Sequence, residues 1–108
     1  MMDDIFEEIR AERRRQDEKW GEQNHSMLHQ GYSQFWDEVI SKQLTSTRKR
    51  IERGNFGWFD ILLEEFCEAF LEKEEEGQRK EMIQVAAVAV EIIESLDRKK
   101  KKREKNVK

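Results

Sequence analysis

The stretch from Ile61 to Glu94, ILLEEFCEAFLEKEEEGQRKEMIQVAAVAVEIIE, constrains the fold of this chain more than any other. Apolar residues recur at helical spacing on both sides of a charged segment, EKEEEG, that interrupts them. The pattern predicts two helices folded back on each other. Glu65 and Glu68 fall on the first and Glu81 and Gln84 on the second, each pair being neighbours across one turn. The four positions average to about residue 74–75, inside the turn, and a helix rises about 1.5 Å per residue, so an antiparallel hairpin brings both pairs to one height. Three carboxylates and a carboxamide then converge. Oxygen donors grouped in this way suit a hard cation, Mg²⁺ or Mn²⁺.

Composition narrows the frame around that hairpin. With 108 residues there is room for one core, and 36% hydrophobic against 42% charged residues makes that core thin. The second hairpin helix is nevertheless apolar on almost every side, which predicts a helical bundle completed by another subunit. Proline is absent and glycine scarce, as long helices require. The single cysteine, Cys67, has no internal disulfide partner, so a reducing cytoplasm is the expected compartment. No apolar leader precedes a small-residue cleavage site, and the longest apolar run, Val85 to Val90, is too short to span a bilayer. A soluble, intracellular protein without a membrane partner is expected.

The remaining elements follow in order. Asp3 to about Lys19 reads as a first helix, acidic at its start and basic later, with a narrow stripe of Ile5, Phe6, Ile9 and Ala11. Trp20 to Gly31 reads as a loop, yet it carries Trp20, His25 and His29. His29 is expected at the surface. For Trp20 and His25 two readings stand side by side: core plug and surface residue, or recognition of a base or sugar. Tyr32 to about Arg53 reads as a second helix with Phe35, Trp36, Val39, Ile40, Leu44 and Ile51 near helical spacing and a break possible over Ser41–Thr47. Arg48, Lys49, Arg50 and Arg53 make a solvated face, with a minority reading in which one of them reaches phosphate.

Asn55 is placed to cap the third helix, Trp58 to about Glu74, and Gly77 to terminate it. A fourth helix runs from Gln78 or Arg79 to about Arg98. Residues 1–98 form the domain and 99–108 a basic tail, KKKKREKNVK, expected to be solvated and not a specific nucleic-acid site.

A wet acidic face is the plain alternative to a metal site. On the third helix, Glu64 and Glu75 lie opposite the apolar arc of Leu62, Leu63, Phe66, Ala69 and Phe70, and there the plain reading holds. Glu65 lies at the border of the arc and Glu68 one step further out. On the fourth helix a single polar seam, Glu81, Gln84, Glu91 and Ser95, crosses an otherwise apolar surface. Charges within a buried helix are costly unless paired or bound to metal. Glu81 paired with Arg79, Lys80 or a basic residue of another subunit is the remaining structural account.

Glu64-Glu65-Phe66-Cys67-Glu68 followed by Glu81-Met82-Ile83-Gln84 resembles the EExxE…ExxD signature of the MazG-like, all-α nucleoside triphosphate pyrophosphohydrolases. Trp58 ahead of ILLEEFCEAF, MIQVAAVAVEIIE after Glu81, and RQDEKWGEQNH (Arg15 to His25) are similar to a short branch of that family common in phages and bacteria. The resemblance covers most of residues 5 to 96. It implies a four-helix bundle that forms a homodimer or homotetramer and cleaves a nucleoside triphosphate, with Mg²⁺, between its α- and β-phosphates.

Residue by residue, Glu65, Glu68 and Glu81 match the metal-binding acids, and Glu64 matches the first motif glutamate, a weaker candidate for orienting water or a second metal. Gln84 departs from the aspartate usual in the family; it still offers a carbonyl oxygen, but no charge. Lys73, Arg79 and Lys80 flank the turn, where they meet either solvent or phosphates. Cys67 reads as packing. The rival from another class is a non-catalytic, oligomeric helical interaction module. A weaker third reading makes the basic tail a nucleic-acid contact.

Overall fold

The computed structural model describes residues 1–28 and 33–106. They form four helices, α1 (Met2–Trp20), α2 (Ser33–Glu52), α3 (Trp58–Leu71) and α4 (Glu75–Asn106), and no strand among the described residues. His29, Gly31 and Tyr32, for which a surface position, a loop and the start of the second helix are expected, lie outside the described residues, as do the last two of the tail. No described helix is long and apolar enough to cross a membrane.

The chain divides into two compact units, Met1–His25 with the part of α4 from Val90 onward, and Ser26–Ala89. In the first, Ile5 is the buried residue of α1, while Phe6 and Ile9 stay exposed. Arg13 pairs with Asp17 across one turn at 2.8 Å, and Arg10–Glu7 and Arg15–Glu12 are similar pairs. Such exposed pairs add little stability. The helix stops at Gly21, whose φ of 68° suits glycine and whose N–H donates to Asp17 O. From α4, Asp97, Lys100, Lys101 and Glu104 line a recess together with Asp4, Ile5 and Glu8 of α1.

In the second unit α2 packs on α3. Leu44 and Thr47 from α2 and Cys67 and Ala69 from α3 are buried, and three of these four are small, which lets the helices approach closely. The break expected over Ser41–Thr47 does not occur. Thr45 Oγ1 donates to Ser41 O, and Gln43 Nε2 donates to the fully buried Thr47 Oγ1, so the polar side chains are satisfied without leaving the helix. At the end of α2, Gly54 (φ 73°) and Asn55 donate their N–H groups to Ile51 O and Arg50 O, the paired bonds of a glycine-closed helix end.

Asn55 is therefore spent on ending α2 and does not cap α3. The N-cap is Gly57, and Asp60, in the first turn, accepts its N–H at 3.2 Å. Arg50 fixes the other oxygen of Asp60 through Nε and Nη2 at 2.8 and 2.6 Å. This clamp joins the end of α2 to the start of α3.

The hairpin turn lies about three residues earlier than the sequence implies. α3 ends at Leu71, three residues before expectation, and α4 starts at Glu75. Gly77 stands inside the first turn of α4 and is not a terminator. A Cβ there would meet the folded-back Glu72 side chain, which would have to shift to admit it. Glu75 and Glu76 suit the positive end of the helix, and Gln78 Nε2 closes the turn on Glu72 O at 2.9 Å.

α4 also runs on past Arg98, so the basic segment continues as exposed helix to Asn106 and is no separate coil. Nor is α4 buried within this chain. Val90 is covered, but Met82, Ile83 and Leu96 are exposed, because one chain supplies too few helices to surround it.

Candidate metal centre

Glu65 and Glu68 project from α3 one turn apart, on a helix whose register is set by Cys67 and Ala69 packing inward. Glu81 enters from the second turn of α4, carried there by the tight Glu72–Glu74 connection. One oxygen of each of the three carboxylates lies within 4.8 Å of the others. Glu65 Oε2 and Glu81 Oε2 are buried and have no hydrogen-bond partner among the described residues.

An orphaned buried acceptor costs about 1–3 kcal/mol, and more when it is charged. Burial, reinforced by repulsion from Glu68, Glu81 and Glu64, pushes the Glu65 carboxyl above its ordinary range. A divalent cation relieves both costs, since it neutralises the charge and occupies the free oxygens. The donor set fits one: all oxygen, anionic, and drawn from two helices.

Arg48 of α2 stands at the rim. Its Nη2 lies 3.1 Å from Glu68 Oε1 and its Nε 3.7 Å from Glu64 Oε2. Glu64 is thus part-covered beside Arg48 and outside the three-oxygen cluster. The helical wheel places Glu64 on a wet face because it considers α3 alone; α2 supplies the partner. Gln84 is exposed and lines a surface recess with Glu76, Arg79, Lys80 and Ile83, while Lys80 is likewise exposed.

Lys73 is held by Asp37 at 2.6 Å, which removes it from the group of free phosphate-binding candidates. Trp20 and His25 belong to the other compact unit. Trp20 is 61% exposed, and the Lys19 ammonium sits 4.8 Å from its ring centroid. His25 is exposed, with Nε2 3.0 Å from Gln23 Oε1. Cys67 is buried, and burial raises its thiol pKa, with Glu68 adding to the rise and Arg48 opposing it. A protonated, covered thiol is packing and not a nucleophile.

Sequence reasoning missed Arg48 and the Arg50–Asp60 clamp. Both lie in runs of like residues whose members differ only in what the neighbouring helix offers them. No family model matches the chain, and no curated protein or solved structure does either.

Proposed function

We propose that this protein is a metal-dependent nucleoside triphosphate pyrophosphohydrolase that releases a nucleoside monophosphate and pyrophosphate, on the pattern of the MazG-like enzymes that its glutamate motifs resemble. One observation carries the reading: three glutamates from two helices bring an oxygen each to one place, and two of the three, Glu65 and Glu81, also have a buried oxygen without a partner among the described residues. A structural acidic face leaves its oxygens to water. These are withheld from it.

Glu65, Glu68 and Glu81 would hold Mg²⁺, or Mn²⁺ in its place. Bound there, the ion neutralises phosphate charge and acidifies water. Gln84, next on the seam of α4, is a further oxygen donor. In the hydrolysis a water oxygen bonds to phosphorus, the bond to the bridging α–β oxygen breaks, and pyrophosphate leaves. Glu64, outside the cluster, accepts the proton given up by the water, and Glu65 beside it is the second candidate for that role. Otherwise the protein positions and compensates charge, which is most of what phosphoryl transfer asks of it. Lys80, exposed on α4, is free to meet phosphates.

Assembly into a homodimer or homotetramer, as a four-helix bundle completed by a second copy, is part of the proposal. Phe59 at 73% and Ile83 at 58% exposure are apolar surface that a second copy would cover.

The non-catalytic interaction module has one observation in its favour, since Arg48 holds Glu68 and Glu64 as a structural ion pair would. It leaves the orphaned oxygens of Glu65 and Glu81 without a purpose. Pyrophosphate and monophosphate release from a panel of ordinary, deoxy and damaged nucleoside triphosphates with Mg²⁺ separates the two. Release that Glu81→Gln abolishes supports the enzyme; no release from any nucleotide, with no thermal shift on adding Mg²⁺ or Mn²⁺, establishes the module.

A further inference from the structure

Three cations lie on the last two turns of α2, Arg48, Lys49 and Arg50, and a fourth, Arg53, follows its last residue. In sequence they are interchangeable, and tertiary contacts separate them. Arg50 is committed to Asp60. Lys49 and Arg53 are exposed and pair with no acid among the described residues. Arg48 alone reaches the rim of the carboxylate cluster, where Glu64 and Glu68, one turn apart on α3, bracket its guanidinium. Glu68 therefore has two claimants, since it belongs to the three-oxygen cluster and also accepts from Arg48.

Those two uses oppose each other. A guanidinium is always charged and cannot relieve the conflict by losing a proton. Its positive field lowers the attraction of the cluster for a second cation, and its bond to Glu68 competes with a metal for that carboxylate. A released guanidinium seeks another acceptor of the same geometry, and a phosphate oxygen is one. The Arg48 side chain is 52% exposed, so it is not locked in place by packing.

We propose that Arg48 is a built-in counter-cation that competes with the divalent metal for Glu68 and, once displaced, donates to a phosphate of the metal-bound substrate. This rests on the metal reading above. It makes metal and substrate binding mutually supporting: the ion frees the arginine, and the phosphate then occupies it. A purely structural ion pair predicts the reverse for metal, because losing Arg48 would leave Glu68 badly aimed and weaken the ion.

The test is calorimetric titration of the full chain with Mn²⁺ alone, then with inorganic pyrophosphate at saturating Mn²⁺. Arg48→Met and Arg48→Gln both remove the charge, so the measurement survives if either one fails to fold. Both are expected to bind Mn²⁺ about three- to tenfold tighter than the parent, an advantage that shrinks in high salt. Lys49→Gln controls for bulk charge and should change Mn²⁺ affinity less than about twofold. With Mn²⁺ present, the two neutral variants should bind pyrophosphate about tenfold more weakly, and Arg48→Lys should fall between them and the parent. Equal or weaker Mn²⁺ binding in the neutral variants, or undiminished pyrophosphate binding, overturns the inference while the parent's own Mn²⁺ binding leaves the metal reading standing. If neither the parent nor any variant binds Mn²⁺, both fall together.

Discussion

Asp60 and Glu65 are carboxylates on the same helix with opposite fates. Asp60 receives two bonds from Arg50 and one from the Gly57 N–H. The Arg50 bonds, helped by the Gly57 N–H, hold its carboxyl below the ordinary range. Glu65 receives nothing at Oε2 and is surrounded by further acids, and its carboxyl is pushed up. One site has its charge balanced within the chain and stabilises the fold. The other is left with surplus charge, which destabilises the fold. The comparison teaches where to look for a ligand: at the acid the chain did not provide for.

The sharpest break between the two sites is in activity. Glu68→Gln or Glu81→Gln is expected to lower metal-dependent pyrophosphate release by about 100-fold or more, since losing even a group behind a ligand costs 10–100-fold. Far-ultraviolet circular dichroism should show the fold retained. Asp60→Asn should do the opposite, lowering the melting temperature by several degrees while sparing Mn²⁺ affinity. The double variant with Arg50→Gln should melt close to either single variant, because the two residues share one interaction.

pH separates the sites by sign. Asp60, depressed in the folded state, stabilises the protein above its ordinary pKa of 3.8, and that contribution is lost as pH falls through this value toward the folded one. Glu65, raised in the folded state, behaves inversely: its contribution is present below its ordinary pKa of 4.5 and lost as pH rises through the folded value. Urea unfolding in a chelator should therefore show stability falling on both sides of an acidic optimum. Asp60→Asn should flatten the acid limb and Glu65→Gln the other.

Two smaller effects follow. At neutral pH Glu65→Gln should raise the melting temperature of the metal-free chain by a few degrees and abolish any rise on adding Mn²⁺. Gln84→Asp should hold Mn²⁺ affinity level or raise it only a few-fold, as an exposed carboxylate is largely screened by water. A large drop, read by the same calorimetry, would place Gln84 among the residues that need to stay neutral.

Much of the architecture was legible along the chain, for reasons that can be located. α1 and α2 are within a residue of their expected ends where described, because apolar periodicity and glycine punctuation are local signals. The convergence of Glu65, Glu68 and Glu81 was legible because helical rise fixes height once a turn is placed. A turn displaced by a residue or two moves a side chain by less than one helical turn. The turn differs from expectation at Gly77, which lies within α4 and not at a helix end, because the chain reverses over Glu72–Glu74. The wide apolar circumference of α4 was legible, but its burial was not, because coverage depends on neighbours that periodicity cannot count.

Sequence by itself determined the helices, their order and the three acids of the hairpin, because each depends on spacing along one chain and on one rigid rise per residue. Packing between helices decided the rest: that Arg50 serves Asp60, that Arg48 pairs with Glu68 and Glu64, and that an oxygen each of Glu65 and Glu81 is buried without a partner among the described residues. Those outcomes turn on a few ångströms across an interface, where neighbouring arginines with the same propensity and charge find different partners.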